Sequence, residues 1–147
     1  MAQLTSPAAI GDNQKLSIQY LIVELLKQRD ANPRIYSKAH IRRAKRIISK
    51  FGIRMPLVVD DDLRIIVGEL LFLAARELGY TELPIVFASG LSGSELDALA
   101  VAYDRLWETG DWDPERLGAL LLKLEVELPN FDLLDLGLEV AEIDLAF

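Results

Sequence analysis

The sequence predicts a small α+β fold with a helical, acidic C-terminal extension. The chain has 147 residues, of which 51% are hydrophobic, enough for one domain with a sizeable core. Short apolar runs typical of strands alternate with longer amphipathic segments typical of helices. From Trp107 onward the chain holds eleven acidic and two basic residues. The predicted order is strand, basic helix, β-hairpin, helix, strand and two helices.

The first elements differ in how clearly they are predicted. Leu16–Leu26 is ambiguous, because its apolar residues alternate as in a strand but also form an unbroken run that suits a helix. The small, polar residues 1–15 predict a flexible leader. From Ser37, a plausible N-cap, apolar side chains recur at helical spacing until Gly52, a plausible stop.

The later elements follow from turn and capping residues. Asp60-Asp61-Asp62 separates two short apolar strands and predicts a hairpin. Ser92 to Glu95 has capping-box spacing, and Asp113 precedes a proline at a first helical position. The predicted segments are strands Pro56–Val59, Arg64–Val67 and Leu83–Phe87, helices Gly68–Leu78, Ser92–Leu106 and Pro114–Leu128, and a short helix around Glu142.

Composition excludes several classes of protein. The absence of cysteine excludes disulfides, thiolate zinc sites and thiol nucleophiles, and a single histidine excludes a metal-histidine cluster. No apolar run approaches the ~20 residues that cross a bilayer, and Met1–Gly11 lacks a signal-peptide pattern. We therefore expect a cytoplasmic protein without membrane contact.

Charge is distributed unevenly. The net charge is −7, yet the segment from Lys27 to Arg54 has ten basic residues and one acid. This asymmetry indicates an anionic partner, self-association or internal neutralisation. The predicted helix carries the cations on its outer face, and they are the candidate DNA-phosphate ligands: Lys38, Arg42, Arg43, Lys45, Arg46 and Lys50.

Two interpretations of this basic face stay open. Its side chains bind phosphate, or they are solvated or neutralised by the acidic tail. The sequence has no helix-turn-helix or zinc-finger signature and little aromatic interleaving, so base-specific recognition is not indicated.

A series of short motifs in the right order resembles the N-terminal domain of ParB-like proteins, in the ParB/sulfiredoxin superfamily. The downstream part resembles ParB-like domains of phage, prophage and plasmid genes and those joined to DNA methyltransferases. The motifs are Asn32-Pro33-Arg34, Ser37, Phe51-Gly52, Gly52–Val59, Ile65–Gly68, Ala74-Ala75, Leu78-Gly79, Leu83–Val86, Ala102–Leu106, Trp112-Asp113, Gly137 and Glu142–Asp144.

The resemblance implies a small mixed sheet with helices over residues 16–90, a first strand at Leu16–Val23, and a helical extension packed on it over 91–147. It also implies a nucleoside triphosphate, with Mg²⁺, held where the helix after the hairpin begins. Amides and a guanidinium at such a helix terminus suit phosphate. The nucleotide contacts implied here are Arg34, Gly52, Arg54, Gly68, Glu69 and Leu70.

The sequence departs from the family at this helix. Leu71 stands where the family has its phosphate-binding arginine, so the nucleotide motif is degenerate. Glu69 occupies the sulfiredoxin cysteine position, which excludes peroxiredoxin repair. Glu69 is also the candidate catalytic carboxylate and, with Asp104, the candidate metal ligand, although a solvated first-turn acid at Glu69 is the simpler interpretation.

These observations leave three hypotheses. The first is a nucleic-acid-associated domain that contacts DNA phosphates without sequence specificity, in a mobile-element or DNA-modification setting, with weakened or lost nucleotide binding. The second is an inactive module that binds a protein partner or forms a homo-oligomer. The third is a metal-dependent nuclease or nucleotide hydrolase. In all three, Trp107 and Trp112 are expected to pack into a helix–helix turn.

Overall fold

The computed structural model describes residues 15–30 and 32–147, apart from the side chain of Ala146. The predicted leader lies outside the described residues except for Lys15. The strands are β1 (Gln19–Ile22), β2 (Leu57–Val59), β3 (Ile65–Val67) and β4 (Glu82–Phe87). The α-helices are α1 (Lys38–Phe51), α2 (Glu69–Glu77), α3 (Gly93–Leu106), α4 (Pro114–Glu127) and α5 (Val140–Ala146).

The four strands form one mixed sheet in the order β1-β4-β2-β3. β1 runs antiparallel to β4, β4 parallel to β2, and β2 antiparallel to β3 as the predicted hairpin. After β1 the chain crosses to the β3 edge, where Ile65 N donates to Lys27 O at 2.8 Å. This crossing brings the residues that follow Lys27 close to the start of α2.

The two faces of the sheet have separate cores. One face packs against α1 and α2 through a cluster that includes Leu57, Ile85, Ile48 and Phe72, all at most 2% exposed. On the other face, Ile66 packs with apolar side chains of α3. The predicted α+β fold with a mixed sheet is confirmed.

The ambiguous first segment has two local structures. β1 is followed by a 3₁₀ helix at Val23–Leu25, where the side chains of Val23 and Leu26 turn into the core. A short strand and a helical turn therefore share one apolar run, which explains why its periodicity fits neither pattern throughout.

The predicted helix caps are present. Ser37 Oγ accepts from His40 N at 3.2 Å, Ser92 Oγ accepts from Glu95 N at 3.2 Å, and Asp113 Oδ1 accepts from Arg116 N at 3.0 Å. Each bond satisfies a first-turn amide that has no partner within its helix.

Elements of the extension pack on both the sheet and the first helix. α3 packs on β3, and a 3₁₀ helix at Leu133–Leu136 packs on α1, while α4 and α5 pack on each other. The predicted core packing of Trp107 and Trp112 is wrong, since they are 68% and 62% exposed. The turn between α3 and α4 faces solvent. Among the described residues, no helix is long and apolar enough to span a membrane.

Asp60 organises the turn of the hairpin. It is 4% exposed and accepts from Asp62 N at 2.9 Å, Arg64 N at 2.8 Å and Arg64 Nε at 2.8 Å. Burial by itself would raise the pKa of Asp60, but the hydrogen bonds and the charge of Arg64 outweigh it and lower the pKa below the ordinary value of 3.8.

We expect Asp60→Asn to destabilise the protein by about 1–3 kcal/mol at pH 7, because charge-assisted hydrogen bonds are lost. The stabilisation from a carboxylate with a lowered pKa is present above the unfolded pKa and is lost as pH falls through the folded pKa. In urea unfolding, the difference in the free energy of unfolding between the natural protein and Asp60→Asn should therefore narrow below about pH 4. An equal difference at pH 7 and pH 2.5 would contradict this role.

Candidate functional site

Gly68 forms the entry to α2. It has φ +103°, and a Cβ on it would lie 2.5 Å from Leu57 Cδ2, so both the backbone and the contact with β2 require glycine. No side chain caps this helix start. The first-turn amides therefore retain donor capacity, as the predicted phosphate site requires.

The Glu69 side chain occupies the start of α2 itself. It is 9% exposed and accepts from Asn32 Nδ2 at 2.6 Å and from Gln28 Nε2 at 3.4 Å. The interpretation of Glu69 as a solvated first-turn acid is therefore wrong. Two amides from the segment after β1 hold its carboxylate, and those contacts compete with a role in catalysis or metal binding.

Leu71 is partly buried and packs against the core beneath the sheet. Its neighbour Phe72 is 2% exposed, and Leu73 also packs against this core. The residue in the arginine position is thus a packing residue and supplies no charge to a phosphate. Leu70, between Glu69 and Leu71, is partly exposed, so its contribution to an anion would come from its backbone amide.

Arg34 pairs with two carboxylates of the α3 region. Its guanidinium bonds Glu108 and lies 3.8 Å from Asp104, measured from Nε to Oδ2. The hydrogen bond with Glu108 raises the pKa of Arg34 and lowers the pKa of Glu108. A cleft of about 440 Å³ adjoins this pair, and its lining also includes Arg29 and Arg105.

Arg29 and Tyr36 belong to the same network, although the sequence reasoning missed them. Arg29 Nη1 lies 3.4 Å from Asp97 Oδ1, and its Nε is buried with no partner among the described residues. Burial raises the pKa of Tyr36, Asp104 raises it further, and Arg34 opposes the rise. The only sequence signal was their position beside Asn32-Pro33-Arg34.

Gly52 and Arg54, two of the nucleotide contacts that the resemblance implies, lie at the C-terminal end of α1, where Gly52 is the predicted stop of the helix. Gly52 ends α1 with φ +76°, and Arg54 Nε donates to Phe51 O at 2.9 Å. Their described contacts finish the helix and do not join the Arg34 or Glu69 networks. Asp104 and Glu69 have separate partners, and among the described residues no group of three His, Cys, Asp or Glu is placed to hold a metal ion.

The predicted basic face divides into two parts. Lys38 and Arg42 are exposed and make no ion pair with the described residues, and Lys45 lies 4.0 Å from Glu77. The other three cations face the C-terminal segment. Arg43 pairs with Glu139, Arg46 pairs with Asp132 and Asp135, and Lys50 lies over the Phe131 ring.

Sequence comparison and structural comparison gave different results. No protein-family model and no curated protein sequence matches the chain. Among solved structures, it is similar to the C-terminally truncated chromosome-partitioning protein ParB from Caulobacter crescentus complexed with CTP-γ-S. The TM-score is 0.69 at 17% identity, over 86% of this chain and 74% of that one. The chain has a ParB-like fold.

Two further structures show the same relationship. A pNOB8-like ParB N-domain gives a TM-score of 0.54 at 17% identity, over 79% of this chain and 47% of that one. The Caulobacter crescentus ParB complexed to the centromeric parS site gives 0.50 at 17% identity, over 86% and 68%. At this level of identity the likeness concerns the fold, which the motif resemblance predicted.

Proposed function

We propose that this protein is a ParB-like nucleic-acid-associated domain that contacts DNA phosphates through the outer face of α1. The observation that carries the proposal is the set of uncovered cations on one side of this helix. Lys38 and Arg42 project from its N-terminal half with no ion pair among the described residues. A row of Lys and Arg on a rigid helix binds the backbone of DNA without reading its bases.

The structural neighbours support an association with nucleic acid. One of them is a ParB solved with its centromeric parS site, and another is the same protein with CTP-γ-S. The uneven charge adds independent support, since a chain with net charge −7 keeps its cations together on this helix. We extend the proposal to a mobile-element or DNA-modification setting on the motif resemblance alone.

Nucleotide binding is weakened in this proposal. Leu71 packs in the core where the family has arginine, Glu69 is held by Asn32, and Arg34 is paired with Asp104 and Glu108. A triphosphate would meet the Glu69 carboxylate and would have to compete for Arg34. All three features lower the expected affinity for a nucleoside triphosphate.

A protein-interaction module is the second candidate, and one observation favours it. Trp107 and Trp112 are mostly exposed, and Leu145, which lines a shallow cavity together with Trp112, is 83% exposed. Large exposed apolar side chains are common at protein interfaces. This candidate predicts self-association or protein binding without any affinity for DNA.

The DNA proposal is tested by Lys38→Gln with Arg42→Gln. Fluorescence anisotropy with a labelled duplex of arbitrary sequence is measured over a series of salt concentrations. Losing two phosphate contacts should lower affinity at low salt by about tenfold or more and reduce the slope of log K against log[salt] by about 2.

The matched control is Arg116→Gln with Lys123→Gln, which removes the same charge from exposed side chains of α4. This variant should bind almost as the natural protein does. Equal losses of DNA affinity in both variants would show that only net charge matters and would overturn the proposal that α1 is the binding surface. No binding by the natural protein at low salt would also overturn it.

A further inference from the structure

The C-terminal segment 131–139, which we call the acidic strap, lies along the second half of the basic helix. Its three carboxylates face the two arginines of that half: Glu139 bonds Arg43, while Asp132 and Asp135 lie 3.1 and 2.9 Å from Arg46. At one end Phe131 packs against Phe51, with ring centroids 5.8 Å apart, and takes Lys50 over its face.

Close packing accompanies these charges. Gly137 has φ +79°, and a Cβ there would lie 3.0 Å from Ile47 Cδ1 and 3.3 Å from Arg43 Cδ. The 3₁₀ helix Leu133–Leu136 is capped by Asp132, whose Oδ1 accepts from Leu134 N at 2.9 Å. The strap thus has a defined shape that fits the surface of α1.

One carboxylate of the strap stands among the cations themselves. A groove of about 540 Å³ beside α1 is lined by Asp135 and by four cations, Arg42, Lys45, Arg46 and Lys50. Asp135 is the least exposed carboxylate of the strap, with a side chain 20% exposed. Its carboxylate therefore lies where a bound anion is expected, because positive charge is in excess in this groove.

We propose that the acidic strap is an intramolecular competitor of DNA, which covers Arg43, Arg46 and Lys50 until a polyanion displaces it. The proposal rests on the proposed function, because it concerns the same basic face. Exposed ion pairs are individually weak and are screened by salt. A duplex offers a continuous row of phosphates, so it can replace the strap on these cations while it binds Lys38 and Arg42.

The test removes the strap charges and retains its shape. In Asp132→Asn, Asp135→Asn, Glu139→Gln, the new amide at position 132 keeps an oxygen acceptor for the cap of the 3₁₀ helix. The control is Asp111→Asn, Glu125→Gln, Asp144→Asn, which changes net charge equally at exposed acids that make no ion pair with the described residues. Both are measured by duplex anisotropy against salt.

We expect the strap variant to bind duplex DNA at least threefold more tightly than the control at low salt. Its slope of log K against log[salt] should be steeper by about 2, since two further guanidinium groups become available. Equal affinity and slope in strap variant and control, with the natural protein binding, would overturn the strap proposal and leave the proposed function intact. No binding by any of the three proteins would overturn both.

Hydrogen exchange gives a readout that does not depend on affinity. If DNA displaces the strap, amides of residues 131–139 should exchange at least tenfold faster in the natural protein with saturating duplex than without it. Residues 114–127 of α4 serve as the internal reference. Exchange in the strap that is unchanged or slower on DNA binding would contradict displacement.

Discussion

Gly68→Ala is expected to destabilise the protein by about 2–5 kcal/mol, the largest effect that we predict for a single substitution. The left-handed backbone at φ +103° costs an alanine about 1–2 kcal/mol. The new Cβ would also lie 2.5 Å from Leu57 Cδ2, and relieving such an overlap in a packed core costs about 1–3 kcal/mol. Chemical denaturation followed by circular dichroism measures the loss.

Gly79→Ala separates the two causes. Gly79 also has positive φ, +86°, but nothing lies within 4 Å of a Cβ placed there. This control should lower the free energy of unfolding only by the cost of the left-handed backbone, about 1–2 kcal/mol. Equal losses at Gly68 and Gly79 would show that the contact between Gly68 and β2 contributes nothing.

Asn32→Ala is expected to lower the free energy of unfolding by about 2–3 kcal/mol, the second largest effect we predict. Among the described residues, the substitution leaves the Glu69 carboxylate, which is 9% exposed, with the 3.4 Å contact from Gln28 as its one side-chain donor. It also removes the acceptor for Arg34 N, which donates to Asn32 Oδ1 at 3.0 Å. Asn130→Ala, at an exposed loop asparagine, is the control and should change stability by less than about 0.5 kcal/mol.

A double-mutant cycle with Glu69→Gln isolates the pair. Neutralising Glu69 in the Asn32→Ala background should recover part of the lost stability, because no charge is then left without its main partner. We expect a coupling of about 1–2 kcal/mol. Additive effects of the two substitutions would mean that the Asn32–Glu69 contact does not stabilise the start of α2.

The sequence predicted what short-range chemistry determines. Ser37, Ser92 and Asp113 each cap a helix within their own turn, so their signals lie within four residues. The β2–β3 hairpin likewise depends on adjacent residues. Leu16–Leu26 was ambiguous because the orientation of Val23 and Leu26 depends on a core that is formed by elements distant in sequence.

Partners distant in sequence could not be predicted in this way. Asn32 meets Glu69 across 37 residues because the chain crosses from β1 to the β3 edge, and no local pattern encodes that crossing. From the charge count, neutralisation of the basic helix by the acidic tail was one of two open interpretations. Only the structure shows that it engages Arg43 and Arg46, and not Arg42.

We have proposed that the cations on the outer face of α1 bind DNA phosphates and that nucleotide binding at the start of α2 is weakened. The most direct measurement titrates the natural protein in one calorimeter and one low-salt buffer, first with duplex DNA and then with CTP and Mg²⁺. We expect heat with DNA that disappears as salt rises, and no saturable heat with CTP. Micromolar binding of CTP together with no binding of DNA would overturn the proposed function.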